Sequence, residues 1–326
     1  MEKILDKYYK EDEPIIVACS TWPDSMYLVY EILKTKYAKN LVACYFNHKL
    51  RPESDQEETF IEKLWEEMWF KVEIASWNIK EIRDKLYPNK WLEELAREKR
   101  YAFLNAILNI YQADKVITGH HLDDRIETFL FNAARWSKLT WLINMKEKSW
   151  VIIRPLINKT KSEILEYLDK NNLKYNIDET NFDTNITRNK IRHDIVPQFE
   201  HINSNYKNNF NNLISYLEEV KELIDNRIEW FLEEQWIKIF NSWKYKINTL
   251  EIYWYFYISD FNKLENILKK EIIRHIFYIS NNKSTIWLSE ANIEEVLRFI
   301  NWKNNKTIKE IKKMKLKKEN EIIIFE

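Results

Sequence analysis

The run Pro14-Ile15-Ile16-Val17-Ala18-Cys19-Ser20-Thr21-Trp22-Pro23-Asp24-Ser25 decides the fold. It opens with apolar, largely β-branched residues, as a strand buried on both faces requires. A short polar turn follows. Met26, Val29, Tyr30 and Leu33 then recur at helical spacing within residues 25–37. Strand, tight turn and helix in that order form a place where backbone N–H groups and a helix N-terminus face an anion.

The alternation continues outward from this run. Residues 41–46 read as a second strand. Residues 54–68 read as a helix opened by Ser54, with Glu57 three residues on at the spacing of a capping box. Residues 71–75 form a third strand, and 92–111 a long helix with Leu95, Phe103, Ala106 and Ile110 inward. Residues 115–118 form a fourth strand, 122–134 a helix and 151–153 a fifth strand before Pro155. This pattern predicts an α/β fold, a parallel sheet with helices on both faces. Ligands of such sheets bind beyond the carboxyl ends of the strands. The polar motifs fall there, after Cys19, Phe46 and Thr118. Beyond residue 203 the character changes to Asn-rich, charged helix, with Leu213, Leu217 and Val220 in period. Residues 244–279 mix strand with helix, 293–300 form a helix, and a lysine-rich stretch runs from Lys303 to Lys318. The expected organisation is a catalytic domain over residues 1–203 and a smaller, mainly helical domain over 204–326.

A chain of 326 residues is long enough for about two domains. Lys+Arg and Asp+Glu are both 51, so the whole-chain charge does not mark a polyanion binder. Any nucleic-acid surface must come from local patches. Cys19 and Cys44 lie in strand-like runs and cannot build a disulfide framework or a Cys-rich zinc site, so a reducing cytoplasm fits. The first residues are too charged for a secretory leader. No run approaches the ~18 apolar residues of a membrane span, and the composition excludes disordered and collagen-like classes.

Glycine occurs once and tryptophan 14 times. Average usage would put glycine at about 7%. Glycine serves wherever φ is positive or backbone must approach a ligand. Trp22, Trp136 and Trp150 stand where turns and element ends are expected. The codon UGA, a stop in the standard code, is read as tryptophan under one alternative code and as glycine under another. The counts therefore predict that UGA-encoded glycines are written here as tryptophan. They also predict that Trp22, Trp91, Trp136, Trp141 and Trp150 lie in loops or at element ends.

Four constellations carry chemistry. The first is Ser20-Thr21-Trp22-Pro23-Asp24-Ser25, which with glycine at 22 becomes a phosphate-cradling turn. As written, the Trp22 indole fills space a phosphate needs. No Gly-Lys-Ser/Thr follows, so it is not a Walker A loop. A plain turn and helix cap would also use Ser, Pro and Asp. The second is Gly119-His120-His121-Leu122-Asp123-Asp124-Arg125-Ile126-Glu127. Asp124 and Glu127 share a helix face and together suit Mg²⁺ or an ammonium group, and the histidines suit a phosphate or a base. The third, Asn47-His48, ends the second strand where a nucleotide base can sit. In the fourth, Arg188 and Arg192 are four apart on a helix, a spacing that clamps phosphates. Arg97 and Arg100 form a similar pair. Taken singly, each of these last patterns is also that of a solvated helix face.

The order and spacing of the set resemble the tRNA(Ile)-lysidine synthase family of PP-loop ATP pyrophosphatases. Residues 20–25 resemble its Ser-Gly-Gly-x-Asp-Ser signature, with Thr21 at the first glycine. In that family positions 22, 91, 136, 141 and 150 are commonly glycine. The resemblance is close over the first domain and extends to the rest only by length and helical character. It implies that ATP adenylates the C2 oxygen of the wobble cytidine of a tRNA(Ile) with a CAU anticodon. Free L-lysine then displaces AMP to give lysidine. It implies that Ser20, Thr21, Trp22, Pro23, Asp24 and Ser25, with Gly119 and His120, bind ATP, and that Asn47 and His48 lie by the adenine. Asp24 and Asp124 would hold Mg²⁺. Asp124 and Glu127 would position lysine, Arg188 and Arg192 would face the reacting phosphate or the tRNA, and the C-terminal domain would grip the tRNA. The resemblance implies no membrane association and leaves a homodimer open. Thr21, Trp22 and Lys49 depart from the family pattern, and UGA recoding does not account for Lys49. Two other readings remain. A PP-loop thiolation enzyme would call for C-x-x-C pairs, and a genuine Trp22 would favour a non-catalytic tRNA-binding protein.

Overall fold

In the computed structural model, strand β1 (Ile15–Cys19) lies inside a six-stranded sheet. Its companions are β2 (Leu41–Asn47), β3 (Lys71–Ser76), β4 (Val116–Thr118), β5 (Lys148–Ser149) and β6 (Ile152–Ile153), in the order β3-β2-β1-β4-β6-β5. All neighbours are parallel except the β5–β6 hairpin at the edge. The structure describes residues 1–51, 54–135, 138–176, 187–240, 254–281, 288–303, 306–312 and 314–325, the side chains at 187, 188, 236–240 and 306 excepted.

The helices of this part are α1 (Glu2–Tyr8), α2 (Pro23–Leu33), α3 (Ser54–Met68), α4 (Ile79–Leu86), α5 (Leu92–Ile110), α6 (Leu122–Ala134), α7 (Leu139–Leu142) and α8 (Lys161–Lys170). Side chains alternate across β1. Ile15 and Val17 join a cluster with Leu28 and Ile32 of α2 and Ile164 and Leu168 of α8. Ile16 joins a separate cluster with Leu104 and Leu108 of α5. The sheet is thus covered on both faces, which is why its central strands read as continuous apolar runs. The chain leaves β1 for β2 on one side and returns to β4 on the other. A crevice opens at that reversal of strand order, beyond the carboxyl ends.

The sequence pattern places most of these elements and misses α1, α4, α7, α8 and β5. Helix α8 carries its own signal, a capping box between Thr160 and Glu163. Helix α4 and the two-residue β5 are too short to show a period. The expected Ser54–Glu57 box is replaced by another arrangement. Glu57 accepts hydrogen bonds from Tyr45 (3.0 Å) and Arg51 (3.1 Å), which draw it away from the helix end.

Three shorter elements follow: α9 (Thr187–Lys190), a wide π-type turn at Ile191–Ile195, and α10 (Val196–Ile202). Helix α11 (Tyr206–Phe240) comes next. The chain forms two compact units, Met1–Leu217 and Glu218–Glu326, so the division falls within α11. The second unit adds β7 (Trp254–Tyr257), α12 (Ile258–Asn262), α13 (Asn266–Ser280), α14 (Glu290–Ile300), β8 (Lys306–Ile311), β9 (Met314–Glu319) and β10 (Ile322–Phe325). The second unit is mainly helical, as expected, and it also carries a small sheet. Its strands form a four-stranded antiparallel sheet in the order β7-β10-β9-β8. The lysine-rich stretch is part of that sheet. In β9, Met314 and Leu316 point inward while Lys315 is exposed. Lys318 is buried, and its ammonium donates to the carbonyls of Ile300 (2.9 Å) and Trp302 at the end of α14. Lysines between the apolar positions concealed a period-2 strand. Phe256 and Phe261 stack with ring centroids 4.5 Å apart in the core of this unit. Among the described residues, no helix is long and apolar enough to cross a membrane.

The backbone sharpens the tryptophan count. Trp22 and Trp91 are the N-caps of α2 and α5, Trp141 lies in the four-residue α7, and Trp150 lies in the β5–β6 turn. Trp136 lies outside the described residues. No described tryptophan side chain is buried: Trp22 and Trp254 are half-buried and the rest are exposed. Tyrosine and phenylalanine fill the core instead, with Tyr37, Phe256, Phe261 and Phe277 among its largest fully buried side chains. Trp69 and Trp150 have φ of 58° and 55°. That left-handed region costs an L-residue with a bulky side chain roughly 1–2 kcal/mol.

Candidate active site

Beyond the ends of β1, β2 and β4 lies a cavity of about 590 Å³, of the size that holds small ligands. The turn after β1 is wound around Ser25, whose hydroxyl accepts from the Ser20 amide (3.0 Å) and donates to the Trp22 carbonyl (3.1 Å). Thr21 is fully buried with φ of 64°. Asn176 fixes it, donating from its amide nitrogen to the Thr21 carbonyl (3.0 Å) and from Nδ2 to Oγ1 (3.1 Å). The left-handed turn is therefore kept although threonine replaces the glycine that would adopt it freely. Lys49 likewise keeps a positive φ, 50°, while its amide donates to Asn47 Oδ1 (2.8 Å).

Gly119 stands where the β4–α6 turn abuts this loop. A Cβ there would lie 3.0 Å from both the Asp24 carbonyl carbon and the Ser25 nitrogen, tighter than most packed contacts, so the neighbouring backbone would have to give by a few tenths of an ångström. Glycine lets the two turns close into one cradle without that shift. Trp22 faces the same space: it lines the cavity, its ring lies 5.6 Å from the Arg51 guanidinium, and its Nε1 is buried without a hydrogen-bond partner.

Carboxylates gather at the other wall. Lys161 Nζ bonds both oxygens of Asp24 (2.7 and 2.8 Å). Lys207 Nζ (2.6 Å) and the Lys161 amide (2.8 Å) hold Asp123. Arg192 grips Glu127 with two bonds (2.6 and 2.9 Å) and reaches Asp124 at 3.4 Å. His121 lies between Asp24 (3.6 Å), Asp123 (3.6 Å) and Asp124 (3.4 Å). Burial alone would discharge His121, but Asp123, Asp124 and Asp24 raise its pKa above the ordinary value. Burial would likewise raise Asp123, yet His121, Lys207 and the Lys161 amide hold it well below the carboxylate range. For Glu127 burial prevails over Arg192, and its pKa lies above the ordinary value. His48 and His120 are pushed down to about 4, chiefly by burial. His48 also faces Arg100 and Arg51.

Several expected site residues meet in this one cavity: Ser20, Trp22, Asp24, Ser25, His48, Gly119, His120 and Asp124 line it. Thr21 and Pro23 shape it through backbone, Pro23 as the first residue of α2. Glu127 and Arg192 stand behind Asp124. The Arg188 side chain lies outside the described residues. Asn47 departs from its expected place beside a base. It is fully buried, and its Nδ2 donates to Asp55 (2.9 Å) and Glu58 (2.7 Å) of α3, so it braces the loop and does not line the cavity. Arg51, Lys161 and Lys207 carry no such expectation, while His121, expected beside a phosphate or a base, lies among the carboxylates, and Arg100, expected in a pair with Arg97, lines the cavity. Lys161 and Lys207 are far from the carboxylates in sequence, and no local spacing signals such pairs.

Among the described residues no three acidic, His or Cys side chains are placed to hold a metal ion by themselves. Asp24 and Asp124 both line the cavity wall, and two carboxylates with substrate phosphates make a set that suits Mg²⁺.

The PP-loop domain family matches residues 1–199. The chain is 36% identical over 233 residues to the tRNA(Ile)-lysidine synthase of Thermosipho africanus, covering 68% of this chain and 53% of that protein. It is 30% identical over 269 residues to the tRNA(Ile)-lysidine synthase of Staphylococcus aureus strain COL, covering 80% and 59%. The chain thus spans about half the length of the curated relatives it matches. Among solved structures, the U34-tRNA thiolase NcsA from Methanococcus maripaludis with its [4Fe-4S] cluster superposes with a TM-score of 0.54 at 18% identity, covering 68% of this chain and 76% of that one. That likeness supports the parallel-sheet fold.

Proposed function

The chain belongs to the PP-loop family, and from that premise we propose that it is an ATP-dependent ligase that makes lysidine in a tRNA(Ile) with a CAU anticodon. The observation that carries this reading is one cavity lined by the phosphate-cradling turn with its Asp24 and by Asp124, with Glu127 behind Asp124. The curated relatives named above support it. A sulfur-transfer reading is less well served, because burial raises the thiol pKa of both Cys19 and Cys44 and disfavours the thiolate such chemistry needs.

The reaction makes a poor electrophile good. The C2 oxygen of the wobble cytosine attacks the α-phosphorus of ATP, and pyrophosphate leaves. The ε-amine of L-lysine then forms a bond to C2, the C2–oxygen bond breaks, and AMP leaves. Backbone N–H groups at the start of α2 would meet the phosphate charge. Asp24 and Asp124 would hold Mg²⁺, which offsets the charge that grows as pyrophosphate departs. His48 and His120, held neutral, present ring nitrogens to the nucleotide without adding charge. Asp124 and Glu127 attract the lysine ammonium. The raised pKa of Glu127 suits it to take the proton that the amine must lose. The second unit and the reducing cytoplasm complete the proposal as tRNA grip and location. The reading is tested by conversion of ATP to AMP and pyrophosphate. It predicts a requirement for both the CAU tRNA and lysine in completed turnover; equal turnover without tRNA would overturn it.

Two stability predictions follow from the same geometry. Arg192→Met leaves Glu127 buried without its cation. Breaking such a pair costs about 3 kcal/mol, to be read as a lower urea midpoint, and Arg192→Met with Glu127→Gln should recover much of the loss. An unchanged midpoint for the single variant would contradict the pairing. The second concerns acid. His48 and His120 titrate at about 4 in the folded chain and at the ordinary 6.5 unfolded, so between these values the unfolded state binds more protons. Stability is therefore full above pH 6.5 and falls as pH drops toward 4. His121, raised, acts in the opposite sense only above 6.5. Urea midpoints of His48→Gln should fall less steeply over that acid window than those of the parent chain.

A further inference from the structure

We infer that the residues written as tryptophan at positions 69 and 150 are glycines in the protein its cell makes, inserted at UGA codons, whereas Trp254 is a true tryptophan. The inference rests on backbone and packing and is independent of the proposed activity.

Helix α3 ends at Met68, and Trp69 follows with φ of 58° while its amide still donates to the Trp65 carbonyl (2.9 Å). That is the left-handed residue just past a helix C-terminus, the position glycine takes most often. The Trp69 side chain is 92% exposed. Trp150 is the first residue of the two-residue turn between β5 and β6, set by the Ser149↔Ile152 pairing, with φ of 55°. The first central position of a two-residue hairpin turn is where positive φ selects glycine. Its side chain is 69% exposed. Neither side chain gains the burial that favours tryptophan. None of the described positive-φ residues is glycine, although glycine is the residue that adopts this region freely.

Trp254 gives the contrast within the same chain. It lies in β7, where aromatic residues are favoured, packs against the core of the second unit and meets the His275 ring edge-on at 6.3 Å. Its φ is not positive. Two classes of tryptophan are therefore written with one letter, as two codons with different meanings would produce.

Peptide masses of the protein purified from its own cells test this. Glycine is expected at 69 and 150 and tryptophan at 254. In the recombinant chain as written, Trp69→Gly and Trp150→Gly should each raise the midpoint of thermal unfolding by a few degrees, and Trp254→Gly should lower it. A tryptophan mass at 69 or 150, or a lower midpoint for either of those two glycine variants, overturns the inference.

Discussion

Glu127→Gln is expected to leave adenylation of the tRNA nearly intact and to slow lysine transfer by roughly 10²–10⁴-fold, the range associated with loss of a positioned acid–base group. The separation follows from where the side chain sits. Glu127 does not line the cavity where the phosphate-cradling turn lies, and its partner is Arg192. Asp124 lines that cavity and also meets Arg192, so Asp124→Asn should impair both steps. Pyrophosphate release measures the first step, and incorporation of labelled lysine the second. Equal loss of both signals in Glu127→Gln would remove Glu127 from its proposed role. Unchanged lysine transfer would do the same.

Trp22→Gly is expected to tighten ATP binding by roughly 5- to 150-fold. The Trp22 indole lines the cavity beside Arg51, and its Nε1 finds no hydrogen-bond partner there. Displacing a packed side chain to admit a phosphate costs about 1–3 kcal/mol, which is that range in affinity. Equilibrium binding of ATP to the two chains reads the effect directly. Equal affinity would mean that the indole leaves the phosphate path free, and the steric argument would fail. Thr21 marks the contrast: it occupies a left-handed position in the same turn, but its small side chain is fixed by Asn176 and does not reach the cavity.

The order β1, turn, α2 and the charged start of α6 were legible because each combines a clear period with a polar break. Asp24, Asp124 and Gly119 were legible because strand ends collect the residues of such folds. Asn47 misled for a physical reason. A strand end is also where a loop must be tied down, and its side chain spends its donors on Asp55, Glu58 and the Ser54 carbonyl. Lys161 and Lys207 were invisible because their partners, Asp24 and Asp123, are met only once α8 and α11 have folded back to the site. The antiparallel sheet of the second unit was hidden by lysines between its apolar positions. The turn at Trp150 was legible as a glycine position, whereas the left-handed Trp69 just past α3 carries no such signal, since φ is a property of the folded backbone.

The account's central claim is that this cavity joins ATP, a CAU tRNA and lysine. Its most direct test is ATP-dependent incorporation of labelled L-lysine by the Trp22→Gly chain into tRNA(Ile) with a CAU anticodon, beside the same tRNA carrying a different wobble base. The account predicts incorporation that requires ATP and the wobble cytidine and that is stronger than in the chain with Trp22. ATP bound tightly by the Trp22→Gly chain, with no lysine entering the CAU tRNA, would contradict it.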